Sequence, residues 1–585
     1  MRERKYSTCE AATSSYGRKP SCKSYFVRVS DAGSQRLPTE CDDSPKDCFW
    51  TRSSCHIAAR SVSAAARSVQ AHKSLCTTSA LQPLEGRASA KPCKTMDSFL
   101  RWWRGGSRGE RRTINTTPLP QRYELYHRKR RNEGVSLIAA CCIAFNLVMG
   151  SGFLALPAAV ARCGLILSPI TMGVVCLVML TSLAWEAEAM ARAEALEARV
   201  LRGSSSSPSL LSRVASKRPS LSDRTFEVCE LCRIFCGKRL EMAYAGTFLL
   251  YYLATLWAYA FVFAEALSTF APLFGHEACK HDVACVTYRK CAAAFALFAV
   301  PLSILEPGEQ ITFQVFMSVM RVVIVVLMAS TALLSAYGVD FGPGFGPGAA
   351  TSTAPLVRFA GLGRLLPATV FAQNMGGQVP LVAREMRDRD DLNKALCVGL
   401  AGSFLLYSIL AVSVAYSFGS IAKAANCQWD AFGVGIQYSV LLDGIRWLVV
   451  LFPAVDVFSV YPLNISIAAD TLVTLFAGDR ADRAQRQVGY RRAMRACVAL
   501  PPIIGAGCMA NLTAMIDTAG ILVFAICCGF PPLLSVLGKN KCRAAFGDGR
   551  LDTTRYTPDG GRTWPKYAVA AFGTVAFVIA VGTPG

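Results

Sequence analysis

Asn146-Leu-Val-Met-Gly-Ser-Gly-Phe-Leu-Ala-Leu-Pro157 sets two glycines, a hydroxyl and a proline in the middle of an apolar run, where an unbroken membrane helix needs none of them. Glycine reaches backbone conformations that open a helix, and proline lacks the N–H that would continue one. A second stretch of the same kind, Phe371-Ala-Gln-Asn-Met-Gly-Gly-Gln-Val-Pro380, lies five apolar spans further on. Five is odd, so the two interrupted helices are expected to run in opposite directions, as an inverted repeat of five plus five helices requires. Helix-start N–H groups suit a carboxylate, and freed carbonyls suit a small cation or an ammonium. Asn146, Met149, Gly150, Ser151, Gly152 and Phe153, with Asn374, Gly376 and Gly377, are therefore the candidate substrate-binding residues. The competing explanation is close helix packing at glycine; two such sites in register favour a binding centre.

The surrounding sequence agrees with a membrane setting. Of 585 residues, 52% are hydrophobic and 17% charged, with a net charge of +22. That apolar content excludes a disordered chain, there is no collagen-like glycine period, and 24 Cys in so long a chain fall below the density of a disulfide scaffold. Eleven windows approach the length that crosses a hydrocarbon core of about 30 Å: 136–160, 165–185, 243–267, 291–305, 312–335, 365–382, 396–418, 445–470, 495–510, 515–537 and 565–583. The expected fold is thus an all-α membrane protein of about eleven transmembrane helices, with helices one and six broken and one extra C-terminal helix. Residues 1–133 form a separate basic segment with 26 Lys+Arg against 12 Asp+Glu. It is expected to be a mostly disordered cytoplasmic tail attracted to anionic lipid, with an organelle-targeting segment as the alternative and no role in nucleic-acid binding. Residues 134–583 form the transporter-like domain.

Lys and Arg crowd the loops 186–242, 383–395, 471–494 and 538–566, whereas the opposite loops hold only Arg162, Lys280, Arg289, Lys290, Arg358, Arg364 and Lys423. The positive-inside rule then puts the N-terminus in the cytoplasm and the C-terminus on the far side. On that far side Cys279 and Cys285 are either a small disulfide or free thiols. Cys229, Cys232 and Cys236 on the cytoplasmic side lack a fourth metal ligand and fit an apolar helical stripe better than a zinc site; no metal or cofactor is expected.

Ionisable residues at mid-bilayer are costly and signal function. Arg321 lies about 15 Å into the fifth span and Asp456 about 16 Å into the eighth from the other side, at 1.5 Å per residue. Both land near the midplane, which makes each a candidate for a role in ion coupling or gating. Ser459, one turn from Asp456, could add a hydroxyl. Glu186 and Glu188 are expected to be solvated at the cytoplasmic end of the second span. The sequons at Asn464 and Asn511 fall where no glycosyltransferase reaches. The sequence holds no P-loop, zinc-protease helix, nucleophile elbow or Rossmann fingerprint, so an enzyme is not expected.

Asn146 to Pro157 followed by Cys163-Gly164 resembles the first span of the amino acid/auxin permease family, whose pattern there is Asn-x-x-x-Gly-x-Gly-x-x-x-x-Pro. Phe226-Glu-Val, Ser318-Val-Met-Arg321, Gln378-Val-Pro-Leu, Leu451-Phe-Pro453 with Tyr461-Pro462, and Pro501-Pro502 resemble its transmembrane protein 104 branch. The similarity covers about residues 134–583. It implies two inverted five-helix repeats plus an eleventh helix, and secondary-active movement of amino acids coupled to protons or sodium. In that fold the fifth and eighth spans flank the first break, so Arg321 and Asp456 are expected to form a desolvated pair that holds the cytoplasmic gate shut or exchanges a proton, with a purely structural pair as the alternative. The expected function is a transporter of amino acids or related small zwitterions, a symporter driven by protons in preference to sodium. The alternative is a sensor or scaffold with the same fold that binds an amino acid without moving it.

Overall fold

Lipid offers no hydrogen bonds, so a chain this apolar satisfies its backbone within helices. The computed structural model describes residues 134–203, 221, 225–270, 285–305, 310–342, 345, 354–419, 421, 425–436, 440–478, 484–485, 487–508, 512–547, 549 and 551–582. The tail expected over residues 1–133 lies outside them, as do Cys279 and Asn511. Among the described residues every regular element is helical, with two isolated β-bridges.

The first interrupted helix consists of α1 (Leu137–Val148), a 3-10 turn over Ser151–Leu154, and α2 (Leu156–Cys163), whose first turn carries Pro157. The two halves are bent by 54°. Then come α3 (Leu167–Gly203), α4 (Val228–Cys236), α5 (Lys238–Ser268), α6 (Val286–Ile304) and α7 (Ile311–Ala336). The second interrupted helix is α8 (Leu362–Ala372) and α9 (Val379–Glu385), with Pro380 in the first turn of α9. It is followed by α10 (Leu392–Phe418), α11 (Val440–Ala477), α12 (Val488–Ala506), α13 (Leu512–Val523), a π-helical segment Phe524–Gly529, α14 (Phe530–Phe546) and α15 (Trp564–Gly582).

Seven of these helices are long and apolar enough to cross a membrane, and the bent first pair raises the number to eight. The other expected spans, 291–305, 365–382 and 495–510, fall on α6, on α8 with α9, and on α12. Ile170, Leu177, Leu250, Leu297, Val319 and Ile409 stand exposed on the outer faces of α3, α5, α6, α7 and α10. Such an apolar exterior is favourable against lipid and not against water. The chain is an integral, multi-pass, all-helical membrane protein. Its centre is the pairing of α5 with α11, to which α6 adds ring contacts: Phe295 lies 4.7 Å from Phe263 and 4.9 Å from Tyr461.

The two interrupted helices are laced together by backbone hydrogen bonds at both ends. Val135 N–H donates to Glu385 C=O at 2.9 Å and Arg387 N–H to Val135 C=O at 3.1 Å, joining the start of α1 to the end of α9. Arg358 N–H donates to Cys163 C=O at 2.7 Å and Leu165 N–H to Pro355 C=O at 2.9 Å, joining the end of α2 to the chain just before α8. Start meets end on both sides, so the two run antiparallel, as their spacing predicts. Gly164 makes the second lacing possible: its φ is +116°, and a Cβ there would lie 2.5 Å from Leu356 O.

Two expectations are corrected. The second span does not end at 185, because α3 continues to Gly203, about 55 Å of helix. Glu186 and Glu188 are buried rather than solvated. Hydropathy stops at the first charges, but a helix continues where the charges find partners: Glu188 accepts from Arg192 at 2.8 Å, one turn on, and from Thr557 at 2.6 Å. Likewise 186–242 is not simply a loop, since α4 packs its apolar face, including Cys229, Cys232 and Phe235, into the protein.

Gly164→Ala should destabilise the protein by about 2–3 kcal/mol through backbone strain and the clash with Leu356. Gly246→Ala in α5, where a Cβ meets open space, should be neutral or stabilising by up to about 1 kcal/mol. Thermal unfolding of the detergent-purified protein compares the two; equal midpoints would remove the importance given to the lacing.

Candidate substrate and ion site

A guanidinium in the membrane interior needs both a countercharge and acceptors for its fork of N–H groups. Arg321 on α7 has both. Its Nε donates to Asp456 Oδ1 at 2.5 Å, its Nη2 to Ser459 Oγ at 2.7 Å, and its Nη1 to Asn146 Oδ1. All four residues are buried. Asp456 and Ser459 share a face of α11 because they are three residues apart. Asn146 lies two residues before the end of α1, so this cluster fixes the α1 break to α7 and α11. The structure thus brings together Asn146, Arg321, Asp456 and Ser459.

Two further members of the cluster were not singled out from the sequence. Asn146 Nδ2 donates to the Gln314 side chain at 2.8 Å and to its carbonyl at 2.6 Å, while Gln314 Nε2 donates to Ser459 O at 3.0 Å. Ser318 Oγ donates to Asn146 Oδ1 at 2.9 Å. Gln314, Ser318 and Arg321 stand at i, i+4 and i+7, one helical face. A polar stripe at that spacing in an apolar span is the signal that points to them.

At the α1 break, Met149 and Phe153 are buried; the Ser151 side chain lies outside the described residues. Gly152 faces the second interrupted helix, and a Cβ there would meet the Phe371 ring at 3.0 Å and the Ala372 backbone at 3.1 Å. Gly150 sits against the Tyr259 hydroxyl. One side chain joins the two breaks: Tyr407 Oη on α10 donates to Val148 O at 3.0 Å and to Ala372 O at 3.3 Å, the last carbonyls of α1 and α8. Its ring stacks on Phe153, centroids 6.2 Å apart.

The second break is lined by polar groups. Asn374 Oδ1 accepts from Gly376 N–H at 2.9 Å and from Cys527 Sγ at 3.0 Å. Gly377, with φ +75°, turns its N–H onto Glu186, whose two carboxylate oxygens both lie 3.0 Å away. Gln378 Nε2 donates to Tyr252 Oη at 3.1 Å. Gln373 Oε1, Asn374 Nδ2, Gln378 Oε1 and Tyr244 Oη are buried here without hydrogen-bond partners among the described residues. Buried polar atoms are nearly always satisfied, so four unpartnered ones around one break mark a place suited to a polar ligand. Glu186 itself was missed because hydropathy put it at a span end.

Elsewhere, Cys285 is disulfide-bonded and Cys291 is a free thiol. Cys229, Cys232 and Cys236 lie along α4 as an apolar helical stripe, and no group of three metal-ligating side chains occurs among the described residues.

No protein family matches the sequence, and no curated protein does. Among solved structures the chain is similar to a nucleobase-cation-symport-1 family transporter in a closed conformation with bromovinylhydantoin bound. The identity is 12% and the TM-score 0.45, with 77% of this chain and 90% of that one covered.

Removing one partner of a buried ion pair strands the other charge and costs about 3–5 kcal/mol, whereas replacing both by apolar residues is far less harmful. Asp456→Ala should therefore lower the unfolding temperature more than the double variant Arg321→Met with Asp456→Leu. Thermal unfolding in detergent gives the comparison, and a double variant worse than the single one would show that the pair is not the main tie among α1, α7 and α11.

Proposed function

We propose that the protein is a secondary active transporter of amino acids or related small zwitterions, with the substrate held between the two breaks. The observation that carries this reading is the meeting of two antiparallel interrupted helices across Tyr407, with unpartnered buried polar atoms gathered at the second break. Beside the backbone of Met149 to Phe153 and of Asn374 to Gly377, Asn374 Nδ2 offers a donor and Gln373 Oε1 and Gln378 Oε1 offer acceptors, which suits a molecule with a carboxylate at one end and an ammonium at the other. A transport pathway also needs a centre that can change shape, and short helices laced at their outer ends can tilt about their breaks without losing those ends.

In this reading the chain crosses the bilayer eleven times as two inverted five-helix repeats plus one helix. The Lys/Arg distribution puts the N-terminus in the cytoplasm. The disulfide at Cys285 fits the far side, where thiols oxidise. The coupling ion is the proton in preference to sodium, because Arg321 already supplies a fixed positive charge close to the α1 break and disfavours a second cation.

The test is uptake of a labelled mixture of the proteinogenic amino acids by proteoliposomes holding the full chain, with and without imposed pH or sodium gradients. Accumulation should follow the pH gradient. Binding without accumulation under either gradient would overturn transport in favour of a non-transporting sensor. Tyr407→Phe keeps the ring and removes the bridge between the breaks; it should lower the initial rate by about two- to tenfold, the value of one hydrogen bond, and an unchanged rate would deny the bridge a part in the cycle.

A further inference from the structure

Among the described residues two buried carboxylates, Asp456 and Glu186, stand at the breaks, and they differ in one respect. Asp456 faces Arg321 at 2.5 Å, and the same guanidinium is held by Asn146 and Ser459. A proton arriving on Asp456 would leave Arg321 as an unpaired charge in the membrane interior, which is strongly opposed. Glu186 is 1% exposed, and its hydrogen-bond donor is the backbone N–H of Gly377.

Among the described residues, the titratable side chains within electrostatic reach of Glu186 are Cys232 on α4, Tyr244 and Tyr252 on α5, and Cys527 on the π-helical segment. None of these is a cation. The nearby cations are committed elsewhere: Arg192 to Glu188 on α3's other face, Arg384 on α9 to Asp470 at 2.6 Å, and Lys539 on α14 to Gly561 O at 2.7 Å. A buried carboxylate without a countercharge is expensive as an anion, and a proton removes that expense. Tyr244 Oη is 2.5 Å from where a Cβ on Gly377 would stand and has no hydrogen-bond partner. The Tyr244 hydroxyl thus stands beside the same glycine that holds Glu186.

Resting on the transporter reading above, we propose that Glu186 is the proton-binding residue of the transport cycle and that the Arg321–Asp456 pair is a fixed clamp. The step is a simple protonation: an O–H bond forms between a Glu186 carboxylate oxygen and a proton taken from the aqueous side that reaches the second break. The neutral acid tolerates a dry, closed centre. On the other side the same bond breaks, the proton leaves to water, and the anion draws water to the Gly377 turn. Protonation and the geometry of the second break are thereby coupled through one residue. The site's arrangement pairs this carboxylate with the α8–α9 break, whereas the clamp belongs to the α1 break.

The full chain and its Glu186→Gln variant, which still accepts from Gly377 N–H but takes up no proton, are reconstituted and compared in two assays. In gradient-driven uptake of the labelled amino-acid mixture, a one-unit pH gradient supports up to about tenfold accumulation at one proton per substrate. The variant should lose that accumulation while keeping substrate counterflow at a rate independent of pH. Accumulation retained in the variant would overturn the assignment. The second assay is infrared titration of the carboxyl band of the purified protein: a protonated-acid band that is missing in Glu186→Gln and present in Asp456→Asn supports the proposal, and a band that follows Asp456 instead overturns it. If the unmodified chain shows neither counterflow nor accumulation, the transporter reading fails, while the infrared titration still decides whether Glu186 binds the proton.

Discussion

Arg321 is the interaction on which the middle of this protein depends. A guanidinium buried in a membrane interior is tolerable only if its charge is balanced and its N–H groups are accepted. That requirement pulls Asp456 and Ser459 on α11 and Asn146 on α1 to one point. Asn146, committed to Arg321, Gln314 and Ser318 together, holds the last turn of α1 in place. The chain then leaves the helix at Met149, against a firm support.

The same requirement, that lipid satisfies no polar group, governs the other break by different means. Tyr407 takes up the last carbonyls of both α1 and α8 with one hydroxyl, so the two breaks share a single partner rather than each finding its own. Backbone lacing at the outer ends, at Val135 with Glu385 and Arg387 and at Cys163 with Arg358, fixes the relative height of the two interrupted helices. At the turn from Gln373 to Gln378, Gln373 Oε1, Asn374 Nδ2 and Gln378 Oε1 have no hydrogen-bond partner among the described residues. A rigid first break facing a polar and incompletely satisfied second break is an asymmetric centre, and asymmetry is what separates holding a structure from receiving a ligand.

Much of this was legible in the sequence because membrane physics writes strongly into it. The runs that become α3, α5, α7, α10 and α11 are plain from apolar length, and the two Gly-Pro interruptions predict the breaks and their opposed directions. Depth alone makes Arg321 and Asp456 legible as charges near mid-membrane, and the fold implied by the family resemblance, which sets their spans beside the first break, makes them legible as a pair. The reading failed at Glu186 and Glu188, where charge after an apolar run looks like a solvated helix end. Glu188 is buried by Arg192, Ser535 and Thr557, and the last two lie more than three hundred residues away. No local pattern carries that information.

By itself the sequence determined that the chain lives in lipid, that its elements are helices, where two of them break, and that a buried arginine demands a carboxylate. Those follow from local composition, because burying apolar length and avoiding unpaired charge are properties of each segment. Only the tertiary structure decided that Glu186 would be buried against the Gly377 N–H, that Tyr407 would join the breaks, and that Gln314 and Ser318 would complete the arginine's cluster. These depend on how helices far apart in sequence are rotated against one another, and hydrophobic periodicity in a span buried on most sides is too weak to specify that rotation.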